Sequence, residues 1–215
     1  DHLDHAGSLK HYHECKMKMF KNQTENDIML YSDDNKYLKD LVDNSNFKAQ
    51  KYNIRFDNLN NGINSTRISD GEVSLNGEII YVDGPRKLIG NHNLKNIMFV
   101  MTIARLLNLD LEKAKESISN FAGLKYRMEK IGDYHGITFY NDTIATIPEA
   151  TMNAINAIGN VDTLIFGGMD RGISYDEFKL FLCSCKVNNL ICMPTTGINI
   201  GKYVEENLKT HGMSK

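Results

Sequence analysis

The chain lacks an excess of either charge. Its 25 Lys and Arg stand against 27 Asp and Glu, a net charge of -2, and no long basic run breaks that balance. Nucleic acid and anionic membrane are therefore not expected as main partners. It also lacks an apolar stretch long enough to span a bilayer, and nothing at its start has the pattern of a signal peptide. Cysteine is sparse: Cys15, Cys183, Cys185 and Cys192, the last three clustered in an apolar region. That spacing is not a disulfide framework, so a reducing cytoplasm is the expected compartment, and Cys183-x-Cys185 reads as core before it reads as a metal pair. No internal repeat or low-complexity tract occurs. An initiator Met is missing as well. The chain opens on Asp1-His2 and stops on a polar helix end, as a piece of something larger would.

What is present suits a soluble α/β protein. The 215 residues, 41% apolar and 24% charged, allow one large or two small domains. A helix is expected over 8–21 and a strand near Ile28–Tyr31. Polar, Asn-rich sequence then runs through Asn64, with apolar patches that suggest short strands. "STRISDGEVSLNGEIIYVDG" alternates like sheet, and its Asn76-Gly77 is a hairpin signal. Helical spacing returns over Asn93–Leu107 and over 111–121. Beyond Gly123, strands at 137–141, 163–166 and 189–193 alternate with helices at 148–158, 175–184 and 200–209. That order predicts a Rossmann-like parallel sheet with flanking helices, and a boundary dividing 1–123 from 124–215.

The first helix, "SLKHYHECKMKMF", places Lys16 within a stripe formed by Leu9, Tyr12, His13 and Phe20. A lysine there either snorkels to water or, if buried, loses charge and becomes a reagent. A neutral amine can take up carbon dioxide and become a carbamate able to hold a divalent cation. Just upstream, Asp1, His2, Asp4 and His5 form a dense set of metal-ligand types. Downstream, "GNHNLKN" sets Asn93 and Asn96 on one face of a helix start. Such amides match the edge of adenine, although Asn93 would also serve as a plain N-cap.

"YNDTIATIPEAT" crosses from strand to helix through Asn141, Asp142, Thr143 and Thr146. Thr146-x-x-Glu149 reads as a capping box, with Pro148 in the first turn. Asp142 falls at the C-terminal end of a strand facing a helix start, where open α/β sheets bind ligands. The next strand ends in "LIFGGMDRG", whose Gly167 and Gly168 permit close backbone approach and whose Arg171 brings a positive charge.

Together these segments resemble the Mur ligase family, and within it the branch that adds D-glutamate to UDP-N-acetylmuramoyl-L-alanine. The resemblance runs along essentially the whole chain. It implies that residues 1–123 are the second half of a P-loop-type α/β central ATP-binding domain with a β-rich segment, and 124–215 a C-terminal Rossmann-like domain cut short at its end. It also implies an ATP-dependent ligase of peptidoglycan precursor synthesis. His2 and a carbamylated Lys16 would hold Mg2+, with Tyr12 a further functional position. Asn93, Asn96, Arg127 and Asp142 would contact ATP, and Thr146 and Arg171 the incoming glutamate. Three positions depart from the family pattern: Ile144 and Arg171 stand where lysine is common, and Tyr126 where histidine is usual. The missing cation at Ile144 leaves the isomer of glutamate open.

No G-x-x-x-x-G-K-[ST] phosphate loop occurs, so the chain is not expected to catalyse alone. A monomer is expected. Rival readings are a sibling ligase (L-glutamate-adding or folylpolyglutamate-type), a non-catalytic nucleotide-binding module, and a metal-dependent hydrolase built on Asp1, His2, Asp4, His5, His11 and His13.

Overall fold

Two-residue turns at positive φ fold much of this chain's sheet. Asp70-Gly71 (φ 50° and 82°) and Asn76-Gly77 (φ 52° and 86°) both have the left-handed pair that a type I′ hairpin requires. They join β3 (Ser65–Ser69), β4 (Glu72–Leu75) and β5 (Glu78–Val82) into an antiparallel meander. In the computed structural model, which describes residues 8–56 and 63–210, β3 also pairs in parallel with β2 (Gln50–Ile54), and β2 with β1 (Ile28–Ser32). The result is a five-stranded mixed sheet in the order β1-β2-β3-β4-β5.

The chain divides into two compact units. One is Glu14–Ala122, and the other is Gly123 onward with the described residues before Glu14. The nine-residue helix α1 (Leu9–Met17) enters the first unit at Glu14 and tightens into a 3-10 turn over Lys18–Phe20. The helix α2 (Lys36–Asp43) falls inside the Asn-rich stretch where only short strands were expected. Asn35 starts it by accepting the Leu38 N–H at 3.0 Å, so the polar residues there work as a cap. Two longer elements follow, α3 (His92–Leu106) and α4 (Leu111–Asn120).

Two apolar clusters hold this unit. Ile54, Ile68, Val73, Leu75 and Ile80 of the sheet pack on Leu94, Ile97, Met98 and Met101 of α3. Met29, Tyr31, Val42 and Ala49 form the other, with Met17, Phe20, Leu38 and Phe47 against them. Full burial of such side chains stabilises by roughly 1.5–3 kcal/mol each. Where the first cluster meets a polar pair, Thr66 and Thr102 satisfy one another through their hydroxyls at 2.8 Å.

The second unit departs from the expected pattern in one respect. β7 (Ile137–Asn141) does not join a parallel sheet with the later strands. It pairs antiparallel with β6 (Glu129–Tyr134), an element the sequence pattern did not reveal. The cause is local: His135-Gly136 (φ 51° and 82°) is another left-handed pair, and it returns the chain onto its predecessor. The parallel pairing falls to β8 (Thr163–Phe166) and β9 (Asn189–Cys192), flanked by α5 (Pro148–Ile158), α6 (Asp176–Ser184) and α7 (Thr196–Thr210). One face of that pair carries Leu164, Phe166 and Leu190 against Phe178, Leu182, Ile200, Val204 and Leu208. The fold class is α/β, as expected.

Candidate functional site

The first turn of α3 is where the amide pair was predicted, and both asparagines lie on it. Asn93 is 7% exposed and is not a cap. Asn91 holds the cap position and offers no side-chain bond, while the Asn93 amide nitrogen donates to the Ile89 carbonyl at 2.7 Å. Asn96, exposed, donates its own amide to Asn93 Oδ1 at 3.1 Å. The two side chains thus form one coupled amide edge, fixed at its inner end. A cleft of about 480 Å³ opens beside this turn, lined by Phe56, Ile68, Asp70, Asn91 and Leu94 among others. Apolar and polar residues share its lining, and neither Asn93 nor Asn96 is among them.

Two further predicted residues, Arg127 and Asp142, are brought together by the backbone. Arg127 sits between Tyr126 (φ 65°) and Met128 (φ 45°), bulky residues in a region that L side chains rarely adopt. Three hydrogen bonds hold that shape. Tyr126 N–H donates to Glu129 Oε2 at 2.8 Å, Ile144 N–H to the Tyr126 carbonyl at 3.2 Å, and Met128 N–H to Asp142 Oδ1 at 3.0 Å. Lys125 Nζ lies 4.9 Å from the centre of the Tyr126 ring. Asn141 Oδ1 accepts the Thr143 N–H at 3.1 Å, closing an Asx turn.

Asn141 and Asp142 thus do structural work, and one expectation is corrected. Thr146 does not hold the cap position: α5 begins at Pro148, and its cap is Ile147 in an extended conformation (φ -131°, ψ 147°). The residue before a proline is forced out of the helical region, so the boundary moves one position past Thr146.

At the ends of β8 and β9 Gly167 permits the close backbone approach that was predicted, whereas a β-carbon on Gly168 would meet nothing within 4 Å. A β-carbon on Gly167 (φ 143°) would stand 2.3 Å from the Met193 carbonyl oxygen. The Gly168 carbonyl accepts from Thr195 N–H at 3.0 Å, Thr196 N–H at 3.1 Å and Thr196 Oγ1 at 3.0 Å. Arg171, half-buried, follows in the same loop, where Asp170 Oδ1 accepts the Gly172 N–H at 2.9 Å.

Of the residues expected on the metal side, Tyr12 and Lys16 fall among the described residues. His2, with Asp1, Asp4 and His5, lies outside the described residues, as does the side chain of Leu9. Tyr12 and His13 are half-buried, but Lys16 is exposed, so burial does not make it a reagent. Met17 and Phe20, not Lys16, are the residues here that pack against the second apolar cluster. Among the described residues no group of three His, Cys, Asp or Glu is placed to hold a metal ion. The expected ligand is a carbamylated Lys16, whose oxygens would suit the oxygen-donor preference of Mg2+.

The Mur ligase middle domain matches residues 1–104. The UDP-N-acetylmuramoylalanine--D-glutamate ligase of Bacillus cereus (strain Q1) is 35% identical over 176 residues, covering 82% of this chain and 38% of its own. The chain belongs to the Mur ligase family. A second relative of this Mur ligase chain, the enzyme of the same name from Clostridioides difficile (strain 630), is 31% identical over 201 residues, 93% of this chain and 44% of its own. The chain therefore spans about two fifths of the length of these curated relatives. Solved Mur ligases share the fold. UDP-N-acetylmuramate-alanine ligase MurC from Thermotoga maritima superposes with a TM-score of 0.69 at 20% identity, covering 100% of this chain and 47% of that one. MurF from Acinetobacter baumannii gives 0.68 at 13% identity, covering 98% and 51%.

Sequence reasoning missed the left-handed residues flanking Arg127 and the Met128–Asp142 bond. Neither leaves a local signal, since Tyr and Met carry no preference for positive φ.

Proposed function

We propose that this Mur ligase chain is the nucleotide- and amino-acid-holding part of an ATP-dependent enzyme that joins D-glutamate to UDP-N-acetylmuramoyl-L-alanine. Residues 1–123 would belong to its central domain and 124–215 to its C-terminal domain. The observation that carries the reading is the coupled amide edge of Asn93 and Asn96 beside an open cleft. A fixed edge that donates and accepts together is what recognition of adenine requires. The names of the relatives support the choice of substrates.

In this scheme the alanine carboxylate of the acceptor attacks the γ-phosphorus of ATP, ADP leaves, and an acyl phosphate forms. The glutamate amine then attacks the carbonyl carbon, the tetrahedral intermediate collapses, and phosphate leaves with the amide bond made. Asn93 and Asn96 hold the base, and Arg127 and Asp142 the rest of the nucleotide. Thr146 and Arg171 orient glutamate, Arg171 by pairing with a carboxylate. His2, a carbamylated Lys16 and Tyr12 are assigned to the Mg2+ side. The described residues do not by themselves supply that donor set. The 215-residue chain has no G-x-x-x-x-G-K-[ST] loop to cradle the phosphates and is proposed to be inactive by itself.

The test is phosphate release by the intact protein with ATP, Mg2+ and UDP-N-acetylmuramoyl-L-alanine, adding D- and L-glutamate separately. Release with D-glutamate alone is the expected result. Preference for the L isomer would keep the family and change the substrate. No release with either would sink the assignment.

A further inference from the structure

We infer that Asp34 and Lys95 are positioning residues for the amide edge of α3, an inference that rests on the nucleotide reading of Asn93 and Asn96. The start of α3 breaks the local rules of helix design. Its cap residue Asn91 makes no side-chain bond, and its first turn contains no acidic residue. Instead Lys95 lies close to that end, where the helix dipole is positive and a cation is unfavourable. A helix start so poorly provided for by its own sequence must be fastened from outside.

The fastening is Asp34. Its carboxylate pairs directly with Lys95 Nζ, accepts the Phe56 N–H at 3.1 Å, and accepts from Ser32 Oγ at 3.3 Å. One side chain therefore joins the end of β1, the segment leaving β2, and the first turn of α3. It brings to that turn the negative charge that the helix lacks. The ion pair is neither fully exposed nor sealed off, with side chains 35% and 30% accessible. Burial alone would raise the Asp34 carboxyl. The Lys95 ammonium and the Phe56 N–H outweigh that and hold it below its ordinary value.

Lys95 lies between Asn93 and Asn96 in sequence, so whatever fixes its Cα fixes theirs. The inner amide is already anchored, through Asn93 to Ile89. The outer one, Asn96, hangs on Asn93 by a single bond and is exposed. Asp34–Lys95 holds the backbone between them. Loss of the pair leaves the core contacts of Leu94, Ile97 and Met98 intact and loosens the exposed side of the helix start, which carries Asn96.

The experiment uses the intact protein and compares Lys95→Met, Asp34→Asn, the double variant, Lys95→Arg and Asn96→Ala. Each is assayed for KM of ATP and kcat, for direct ATP binding by calorimetry, and for thermal midpoint. Lys95→Met and Asp34→Asn should each raise the KM and Kd for ATP about 3- to 10-fold, as expected for removal of a coupled pair. They should leave kcat within about twofold. The double variant should be no worse than either single one, and Lys95→Arg should restore ATP affinity.

Unchanged ATP affinity in both single variants, with Asn96→Ala weakened, would overturn the positioning role and leave the nucleotide reading standing. Unchanged affinity in Asn96→Ala as well would overturn that reading, and this inference with it. A fall in kcat and thermal midpoint without a change in ATP affinity would also overturn it, because the pair would then be merely structural.

Discussion

Asp142 illustrates how much a single residue can hide. In sequence it is an acid at a strand end, and its position before a helix marks it as a candidate ligand contact. In the structure it is also the acceptor for Met128 N–H, 14 residues away, which helps to hold Arg127 between two left-handed neighbours. That second role was not legible because it depends on which backbone passes nearby. The two roles are separable by substitution. Asp142→Ala removes the acceptor and should destabilise by about 1–2 kcal/mol, the usual effect of leaving a part-buried donor unsatisfied. Asp142→Asn keeps an oxygen at that position, so it should retain most of the stability while losing the charge proposed to act on the nucleotide. Urea unfolding of both variants checks the first statement and glutamate-dependent phosphate release the second. Equal destabilisation by Ala and Asn would show that the charge, not the acceptor, holds the turn. Asn93 and Asn96 were easier to find, since two amides three apart on a helix start already define a face.

Among elements, legibility followed how local the cause was. The Asn76-Gly77 hairpin, α3 and α4 were readable because a turn pair or an apolar period announces them. α2 was hidden by Asn-rich sequence whose residues turned out to be caps. β7 was found but given the wrong neighbour, because pairing depends on a turn at His135-Gly136 and on β6, which has no clear alternation. α5 was found with the wrong cap, since Pro148 shifts the boundary. The contrast between α4 and α5 yields a prediction. Asp110 Oδ1 accepts from Glu112 N–H at 3.0 Å and Lys113 N–H at 3.2 Å, satisfying two donors at the start of α4. Asp110→Ala should therefore cost about 1 kcal/mol, and Asp110→Asn, an equally good cap type, only a small part of that. Denaturant midpoints for the two variants measure the difference. Indistinguishable midpoints would mean that packing of α4 on α3, not its cap, sets the stability of this end.

At the scale of the whole molecule, stability should depend on acid in a direction that the carboxylates set together. Asp27 is held below its ordinary value by the Thr24 N–H and hydroxyl, and Asp34 by Lys95 and Phe56 against its burial. In the other unit Asp133, Asp162 and Asp176 are held low by Lys130 and Thr138, by Asn188 and Thr163, and by Lys179 and Ser174. Each such group contributes stability that is present above its unfolded value, about 4, and is lost as pH falls through the lower folded one. Asp33 works the other way. Burial raises it, the nearby Arg67 offsets only part of that, and its Oδ1 is buried without a hydrogen-bond partner. Its contribution is present below the unfolded value and lost as pH rises through the raised one. Asp33 belongs to the first unit, whereas Asp133, Asp162 and Asp176 of the second are all held low, so acid should loosen the second unit sooner. Hydrogen exchange between pH 5 and 3 checks this by comparing amides of β8 and β9 with those of β1 and β2. Protection should fall first in β8 and β9, and raised salt should shrink the difference, since the second unit's carboxylates are surface groups that ions screen. Earlier loss in β1 and β2 would mean that the paired Asp34, partly shielded from water, outweighs the exposed carboxylates.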